Sequence, residues 1–414
     1  MGADRVFTGI AHRDGPSSLG RECSCGSRRF ERRDPAPFGA EVRGCLMASG
    51  SSSVLFAGGG TGGTVGPGIA VAERLRELDP DIKVVFLCSD RPVDRRLLDP
   101  GGWMAVPTAA RSPSFRLRAG VRFLRGWRSA RRVAGGQMSR PDSGRLVALG
   151  GFVAPPVVAE AVRRGMPVDL LNLDAVAGRA NRWIARRADR VITSVETDLP
   201  ESGSPIGVPL RRASLPERSP EEARIVLGLD ADRPTLLVTG ASQGARSIDH
   251  FMLTLLGRRP ELFREWQVLH LAGGDVEALA KAYSDAGSTA SVRPFLETMG
   301  LAWSAADFAI SRGGASSIAE IMVSRTPALI LPYPWHADRH QARNAALLEG
   351  LGAVTVLDDP VVGGGAVERL EDALARRLGD PGALEAQRAC FPVETADAAE
   401  AVANSILSAL RSRG

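Results

Sequence analysis

The chain has 414 residues, of which 44% are hydrophobic, and a formal net charge of +5. That length allows two domains, each with its own core. No apolar run reaches the roughly 18 residues of a membrane-spanning helix. No apolar segment follows a basic start, so a secretory signal is not expected. The five cysteines are few and odd in number, which favours unpaired thiols in a reducing cytoplasm.

The positive charge is concentrated in one segment. Residues 111–132 contain eight arginines and no acid, whereas residues 1–46 contain eight arginines and six acids. A local excess of this kind indicates an anionic partner rather than a generally basic surface. Residues 1–46 also have no sustained hydrophobic period. We interpret them as disordered, or as a spurious extension upstream of a start at Met47.

From residue 54 onward, short apolar runs alternate with helical patterns. Strands are predicted at 54–57, 84–88, 146–149, 168–173 and 190–193, and again at 235–240, 267–271, 308–311, 328–331 and 353–356. Helices are predicted at 67–78, 155–165, 178–187, 245–256, 315–324, 339–350 and 395–411. This alternation predicts parallel sheets that are covered by helices on both faces.

The segment 201–220 is rich in Ser, Pro and Gly and is predicted to contain the domain linker. We therefore predict an N-terminal domain over 47–208 and a C-terminal domain over 209–394. A last helix within 395–414 is able to pack back on the N-terminal domain.

Two glycine-rich turns each follow an apolar strand and open a helix. They are Gly-Gly-Gly-Thr-Gly-Gly at 58–63 and Gly-Ala-Ser-Gln-Gly-Ala at 240–245. Glycines allow close backbone approach, and the free amides at a helix start favour an anion. Two such units predict two similar α/β halves with a cleft between them.

The first turn also matches a dinucleotide-binding pattern. Gly58, Gly60 and Gly63 satisfy G-x-G-x-x-G, but the acid expected about 20 residues later is absent, because Asp90 comes about 30 residues after the turn. A nicotinamide-dependent oxidoreductase is therefore kept as an alternative that rests on this spacing alone.

Three further blocks accompany the two turns. They are Gly-Val-Pro-Leu-Arg at 207–211, Ser-Arg-Gly-Gly-Ala-Ser-Ser-Ile-Ala-Glu at 311–320, and Pro-Tyr-Pro-Trp-His-Ala-Asp-Arg-His-Gln-Ala-Arg-Asn-Ala at 332–345. In this order the blocks resemble the motifs of the peptidoglycan N-acetylglucosaminyltransferases, the MurG family, and the resemblance covers nearly everything after Met47.

The resemblance implies a GT-B-like α/β fold, in which two Rossmann-like domains with parallel sheets face a central cleft. It implies an inverting glycosyltransferase at the cytoplasmic face of the cell membrane. The enzyme would move N-acetylglucosamine from UDP-N-acetylglucosamine to a lipid-diphosphate-linked N-acetylmuramoyl peptide, the lipid I to lipid II step of peptidoglycan synthesis. A UDP-sugar transferase of the same fold with another lipid or small acceptor remains an alternative.

The resemblance places the donor in the C-terminal domain. The implied substrate-binding residues there are Arg211, Ser242, Gln243, Gly244, Ala245, Glu320, His340 and Gln341. The amides of residues 243–245 lie at a predicted helix start and can bind a diphosphate without a metal. Arg211 adds positive charge where the leaving diphosphate becomes more negative.

The remaining donor residues would contact the sugars. Glu320 lies about one turn into a helix and can accept hydrogen bonds from both ribose hydroxyls. By resemblance, His340 and Gln341 contact the hydroxyls of the transferred sugar. The alternatives are a solvated helix carboxylate for Glu320 and an ordinary first helical turn for His340 and Gln341.

Two Asp-x-Asp pairs, at 79–81 and 230–232, could hold a divalent metal. Both lie in polar loops before strands, where Asp is a common turn residue. We interpret them as turns, so neither a metal nor a cofactor is predicted.

The acceptor side departs from the family pattern. The implied substrate-binding residues are Thr61, Gly62, Gly63, Thr64 and Asn181. Thr64 stands where the family has a His that is a candidate for handling the proton of the acceptor hydroxyl, and a threonine hydroxyl is not a base near neutral pH. The family's His-Glu-Gln-Asn motif falls at 171–174, where only the acid Asp174 can accept a proton.

An inverting transfer needs a general base within reach of the attacking hydroxyl. Asp174 is therefore the candidate base, and Thr64 and Asp174 are the two catalytic candidates. An Asp after a strand can also be a helix cap. Three outcomes stay open: a shifted base, a different acceptor, or a catalytically weak sugar-nucleotide-binding or scaffold protein.

The basic segment 111–132 has the pattern of an amphipathic helix. Its apolar positions are Leu117, Val121, Leu124 and Trp127, with Phe115 and Phe123 beside them, and its arginines at 118, 122, 125 and 128 follow one residue later. An apolar stripe beside an arginine stripe favours an anionic membrane surface. Nucleic acid is not predicted, because no recognition motif accompanies the patch. The alternative is a core-packed helix with a solvated basic face.

Overall fold

The structure is a computed structural model that describes residues 52–112, 117–200, 202–241, 244–335, 339–393 and 396–412, and for residues 117–119 the backbone alone. The predictions for residues 1–46 and for Phe115 lie outside these ranges.

The first part of the chain forms a six-stranded parallel sheet in the order β3-β2-β1-β4-β5-β6. Its strands are β1 (Ser53–Ala57), β2 (Lys83–Cys88), β3 (Met104–Pro107), β4 (Ser143–Ala148), β5 (Val168–Asn172) and β6 (Arg190–Thr193). The helices between them are α1 (Gly62–Leu78), α2 (Pro92–Leu98), α3 (Leu117–Met138), α4 (Ala154–Arg163) and α5 (Arg179–Ala185). Every residue of β1 is buried, because helices cover both faces of the sheet.

The second part forms another six-stranded parallel sheet, in the order β12-β11-β10-β7-β8-β9. Its strands are β7 (Thr235–Thr239), β8 (Gln267–Leu271), β9 (Thr289–Arg293), β10 (Phe308–Ser311), β11 (Ala328–Ile330) and β12 (Val354–Val356). Its helices are α6 (Pro220–Leu227), α7 (Arg246–Arg258), α8 (Val276–Asp285), α9 (Met299–Ala305), α10 (Ala315–Ser324), α11 (His340–Gly350), α12 (Ala366–Leu378) and α13 (Pro381–Ala389).

Each sheet carries one glycine turn at the point where its strand order reverses. The first turn follows β1, which lies between β2 and β4, and the second follows β7, which lies between β10 and β8. Open parallel sheets bind ligands outside the carboxyl ends of the strands at such a reversal. The predicted fold class, two Rossmann-like domains with parallel sheets, is confirmed.

All ten predicted strands are present, but β3 and β9 were missed. Both are edge strands. β9 (Thr289–Arg293) has no fully buried residue, and β3 (Met104–Pro107) has an exposed methionine and ends on a proline. An edge strand with an exposed face needs no apolar run, so neither segment carried the pattern used to predict strands.

The last helix, α14 (Ala398–Arg411), returns to the N-terminal domain. Val402, Ile406 and Leu407 are buried in the same apolar cluster as β1 and α1. Asp397 caps the helix through the amides of residues 399 and 400, and its carboxylate accepts a hydrogen bond of 2.8 Å from Nε of Arg74 in α1. The end of the chain therefore completes the core of the domain in which β1 lies.

The segment between the domains is held against α1. The amide of Arg212 donates to Oε2 of Glu73 at 2.8 Å, and its guanidinium donates to Glu77 at 2.7 and 3.1 Å. These contacts fix the start of the C-terminal domain relative to α1. They bring the preceding residue, Arg211, to the cleft.

Candidate active site

The first glycine turn already contains a carboxylate. The amide of Gly60 donates to both oxygens of Asp94, at 2.8 and 3.0 Å. The amide and the hydroxyl of Ser89 donate to the same carboxylate, at 2.9 and 2.6 Å. Asp94 is fully buried. The amide that a dinucleotide phosphate would need is therefore occupied, which argues against the oxidoreductase alternative. No sequence signal pointed to Asp94, because it lies 34 residues after the glycine that it binds.

The two threonines of the first turn bind each other. The hydroxyl oxygens of Thr61 and Thr64 are 2.8 Å apart, at the start of α1, where Thr61 is the N-cap residue. Gly62 is half-buried and Gly63 is exposed. These four predicted acceptor residues thus form one turn at the carboxyl edge of the first sheet.

Asp174 lies at the boundary between the two domains. Its Oδ1 accepts a hydrogen bond of 3.2 Å from Nδ2 of Asn344, which belongs to α11 of the C-terminal domain. The same Nδ2 donates to the carbonyl oxygen of Gly313 at 3.2 Å, and the amide of Ala175 donates to Oδ1 of Asn344 at 3.3 Å. The helix-cap alternative for Asp174 is wrong, because the N-cap residue of α5 is Gly178.

Asn181 supports the loop that carries Asp174. Its Nδ2 donates to Oδ1 of Asn172 at 2.9 Å, and Nδ2 of Asn172 donates to the carbonyl oxygen of Asp174 at 2.8 Å. The predicted substrate-binding residue Asn181 is therefore part of a chain of side chains behind the candidate base.

The described end of the second glycine turn packs closely against the loop that follows β8. Ser242 and Gln243 lie outside the described residues. Gly244 packs so closely against Gly273 that a Cβ atom on either would overlap the other's backbone. The helix α7 begins at Arg246, with Ala245 as its N-cap residue. The amide of Gly244, predicted to face the ligand, instead donates to the carbonyl oxygen of Ala241 at 3.1 Å. That part of the prediction is wrong, because this amide is already hydrogen-bonded to the carbonyl oxygen of Ala241.

A buried polar network stands behind the second turn. Asp249 accepts a hydrogen bond of 3.0 Å from the amide of Gly273, and its other oxygen lies 3.1 Å from Nε2 of His270. Nδ1 of His270 lies 3.1 Å from the hydroxyl of Tyr283. All three side chains are buried. The network fixes the position of Gly273 and hence of the turn that rests on it.

Glu320 is half-buried in the C-terminal domain and hydrogen-bonded to it, rather than solvated on a helix surface. Its Oε2 accepts a hydrogen bond of 3.0 Å from Nε1 of Trp303 in α9. Burial raises the pKa of Glu320, and the hydrogen bonds from Trp303 and Ser214 and the charge of Arg211 oppose that rise. The alternative of a solvated helix carboxylate is therefore wrong.

Arg211 faces a cavity between the domains. The cavity has a volume of about 220 Å³ and is also lined by Glu73 and Trp103 on one side and Phe295 and Thr298 on the other. The guanidinium is close enough to Glu73 and Glu320 to lower the pKa of both carboxyls, although burial raises each pKa overall. The Arg211 guanidinium therefore lies near Glu320, which is predicted to bind ribose, and near Glu73 of the N-terminal domain.

The first turn of α11 carries the two predicted sugar-binding residues. Oε1 of Gln341 accepts a hydrogen bond of 2.8 Å from the amide of Tyr333. The backbone of Gln341 packs against Gly313, where a Cβ atom would overlap it. His340 and Asn344 are four residues apart on one face of α11. One helix therefore links the predicted sugar site to the candidate base.

The two Asp-x-Asp pairs have turn geometry. Oδ1 of Asp79 accepts a hydrogen bond of 3.3 Å from the amide of Asp81, and Oδ1 of Asp230 accepts one of 3.0 Å from the amide of Asp232. An Asp that binds the backbone two residues on forms an Asx turn. The interpretation of both pairs as turns is confirmed.

Helix α3 leaves apolar side chains exposed beside its arginines. Val121 is 46% exposed and Leu124 is 55% exposed, and the arginines at 122, 125 and 128 are exposed as well. Trp127 instead packs edge-on against Trp183 of α5, with ring centroids 6.3 Å apart. The core-packed alternative is therefore wrong for Val121 and Leu124. Across the part of the chain that the structure describes, none of the helices has the length and apolarity to span a bilayer.

Similarity to known protein families shows which class of enzyme has this fold. The N-terminal domain of glycosyltransferase family 28 matches residues 54–193, and the C-terminal domain of that family matches residues 235–402. The structure is similar to the crystal structure of MurG from Acinetobacter baumannii, with a TM-score of 0.63 and 24% identity, over 87% of this chain and 100% of that one. The same fold occurs in a UDP-N-acetylglucosamine 2-epimerase, at a TM-score of 0.59 and 11% identity, over 86% of this chain and 95% of that one. The molecule is a two-domain glycosyltransferase of the GT-B type.

Curated relatives name the family more closely. They are UDP-N-acetylglucosamine–N-acetylmuramyl-(pentapeptide) pyrophosphoryl-undecaprenol N-acetylglucosamine transferases. The protein from Alkalilimnicola ehrlichii is 35% identical over 372 residues, which are 86% of this chain and 99% of the relative. The protein from Geobacter sulfurreducens is 32% identical over 369 residues, again 86% and 99%. The chain belongs to this family, the MurG family, and the resemblance drawn from its motifs is confirmed.

Proposed function

We propose that this chain transfers N-acetylglucosamine from UDP-N-acetylglucosamine, with inversion, to a lipid-diphosphate-linked N-acetylmuramoyl peptide. The reaction is the one for which its relatives are named. The observation that carries the proposal is the contact across the cleft between Asp174 and Asn344. It joins the only acid of the altered acceptor motif to the helix that begins with His340 and Gln341.

The donor is bound by the C-terminal domain. Glu320, held by Trp303, accepts hydrogen bonds from the ribose hydroxyls. Arg211 offsets the charge that develops on the leaving diphosphate. The start of α7 after the second glycine turn supplies the remaining electrostatic stabilisation, so neither a metal nor a cofactor takes part.

Asp174 acts as the general base. The acceptor hydroxyl attacks the anomeric carbon on the side opposite UDP, and the carboxylate removes its proton as the new glycosidic bond forms. Asn344 holds Oδ1 of Asp174, which leaves Oδ2 to accept the proton. Thr64 does not serve as the base. Its hydroxyl, bound to that of Thr61, orients the acceptor.

The enzyme binds peripherally to the inner face of the cell membrane through α3. The exposed Val121 and Leu124 enter the interface, and the neighbouring arginines contact anionic headgroups. Sedimentation with anionic vesicles tests this contact, and an absence of binding at low salt contradicts it.

Turnover with a lipid-linked acceptor tests the chemistry. We expect Asp174→Ala to lower kcat by about 10²- to 10⁴-fold, the usual contribution of a general base, with UDP affinity by calorimetry unchanged. The matched control is Asp198→Ala, which removes an exposed carboxylate of the same domain that forms an ion pair with Arg182. A normal kcat in Asp174→Ala contradicts the assignment of the base. Absence of turnover in the native chain, with UDP bound tightly, favours the sugar-nucleotide-binding alternative.

A further inference from the structure

A strongly cationic cavity lies between α3 and α4, outside the groups assigned to the transfer reaction. Its volume is about 520 Å³, and it is lined by Arg128, Arg131, Arg132, Arg163, Arg164 and one acid, Glu160. Five guanidinium groups face a single carboxylate. The cavity therefore has a large net positive charge, which favours the binding of an anion.

Glu160 arranges three of these arginines. Its carboxylate accepts hydrogen bonds from Arg131 at 3.0 and 3.1 Å, from Nε of Arg164 at 2.8 Å, and from Arg163. These hydrogen bonds lower the pKa of Glu160 to about 2, so the carboxylate stays ionised throughout the physiological range. It orients three guanidinium planes but neutralises one charge only.

Two adjacent glycines of α3 leave room in the cavity. A Cβ atom on Gly135 would lie 2.8 Å from Nη2 of Arg164 and 3.2 Å from Oε1 of Glu160, whereas nothing lies within 4 Å of the Cβ position of Gly136. A glycine in a helix interior is less favourable than an alanine. A side chain at Gly135 would displace the arginine–glutamate arrangement. Side chains at these positions would also narrow the space between the helices.

Arg128 and Arg132 have no partner among the residues that the structure describes. Both are exposed, and neither forms a hydrogen bond or ion pair with any residue in the described ranges. Oriented guanidinium groups match the oxygens of phosphate better than a diffuse cation does, because each can donate two parallel hydrogen bonds. We propose that the cavity between α3 and α4 is a binding site for a phosphate group. Where that phosphate belongs to a lipid headgroup, the site rests on the membrane association proposed above.

The test compares two matched double variants. Arg163→Gln with Arg164→Gln removes two cavity arginines at the end of α4. Arg376→Gln with Arg377→Gln removes an adjacent pair in the last turn of α12, in the other domain. Both variants lose the same net charge. Binding is measured to vesicles of phosphatidylglycerol in phosphatidylcholine by sedimentation, and to inorganic phosphate and pyrophosphate by calorimetry. Thermal unfolding checks that each variant is folded.

We expect the cavity variant to bind an anionic probe about tenfold more weakly, and the control at most about twofold more weakly. A loss confined to vesicles identifies a lipid headgroup, and a loss that extends to inorganic phosphate identifies a soluble one. Equal losses in both variants overturn the proposal. So does full recovery of binding in Arg163→Lys with Arg164→Lys, because lysine restores charge without the paired donors.

The same measurements distinguish failure of the membrane proposal from failure of the phosphate site. If the native chain binds anionic vesicles and the cavity variant binds them equally well, the phosphate site is wrong and the membrane contact stands. If the native chain binds no vesicles, the membrane contact is wrong and the soluble phosphate measurements alone decide the site.

Discussion

Replacement of Glu320 by glutamine should separate donor binding from stability. The carboxylate is positioned by Trp303 at 3.0 Å, and it is proposed to accept hydrogen bonds from ribose. Glutamine keeps the size and the oxygen that Trp303 contacts, but it removes the negative charge. A hydrogen bond to a charged group contributes about 1.5–3 kcal/mol, so we expect the Kd of UDP to rise about 10- to 100-fold.

The same change should not destabilise the fold. Burial raises the pKa of Glu320, so the folded chain holds that proton more tightly than the unfolded chain does. Ionisation at neutral pH therefore opposes folding, and this cost disappears as the pH falls through the raised pKa. We expect Glu320→Gln to have an unfolding temperature equal to or above that of the native chain at pH 7, and the difference to shrink in acid.

Calorimetric titration of UDP between pH 5 and 8 provides the assay. The titration of UDP itself affects both proteins equally, so the ratio of their Kd values isolates Glu320. That ratio should be largest at pH 8 and should fall as the native carboxyl becomes protonated. Glu385→Gln, which neutralises an exposed carboxylate of α13, serves as the control. A ratio near one at all pH values, or a clear loss of stability in Glu320→Gln, would refute the assignment to ribose.

Three further predictions concern the elements that hold the site. Ala241 has φ of +60°, which is strained for a residue with a Cβ atom. Ala241→Gly should therefore raise the free energy of unfolding, measured by urea denaturation, by about 1 kcal/mol. A decrease would show that glycine relieves no strain at this position. Ile406 of α14 is fully buried, so Ile406→Ala should cost about 2–5 kcal/mol, whereas exposed Ser408→Ala should cost less than about 0.5; equal effects would mean that α14 is not part of the core. Asp94→Asn should cost about 2–3 kcal/mol, because its amide nitrogen would face backbone donors; unchanged thermal stability would contradict the role of Asp94 in the first turn.

The fold was predictable where the residue pattern is local. β1 and β7 each contain a continuous apolar run, at 54–57 and 236–238, because both of their faces are buried, and each is followed by glycines in a recognisable order. Glu320 was placed correctly one turn into α10, because its position depends only on helical spacing from the preceding glycines. Edge strands such as β9 lack a continuous apolar run, because they are partly exposed to solvent.

The contacts that complete the site depend on pairs of distant residues. The Asp174–Asn344 hydrogen bond joins residues 170 positions apart, and it exists only because two separate domains meet. Asn344 belonged to a recognised block, but nothing in the sequence indicated its partner. The hydrogen bond from Trp303 to Glu320 likewise could not be predicted, because the indole comes from a different helix.

The two glycine turns look alike in sequence but differ in whether a carboxylate of the chain is bound to them. The amide of Gly60 is occupied by Asp94, an anion supplied by the chain itself, and an additional phosphate there would meet a buried negative charge. No carboxylate is bound to the described residues of the second turn. The carboxylate of Asp249 instead binds the amide of Gly273, against which Gly244 packs, and lies 3.1 Å from Nε2 of His270. We therefore propose that the buried carboxylate of Asp94 excludes the donor diphosphate from the first turn, so that the donor binds at the second turn, in the C-terminal domain.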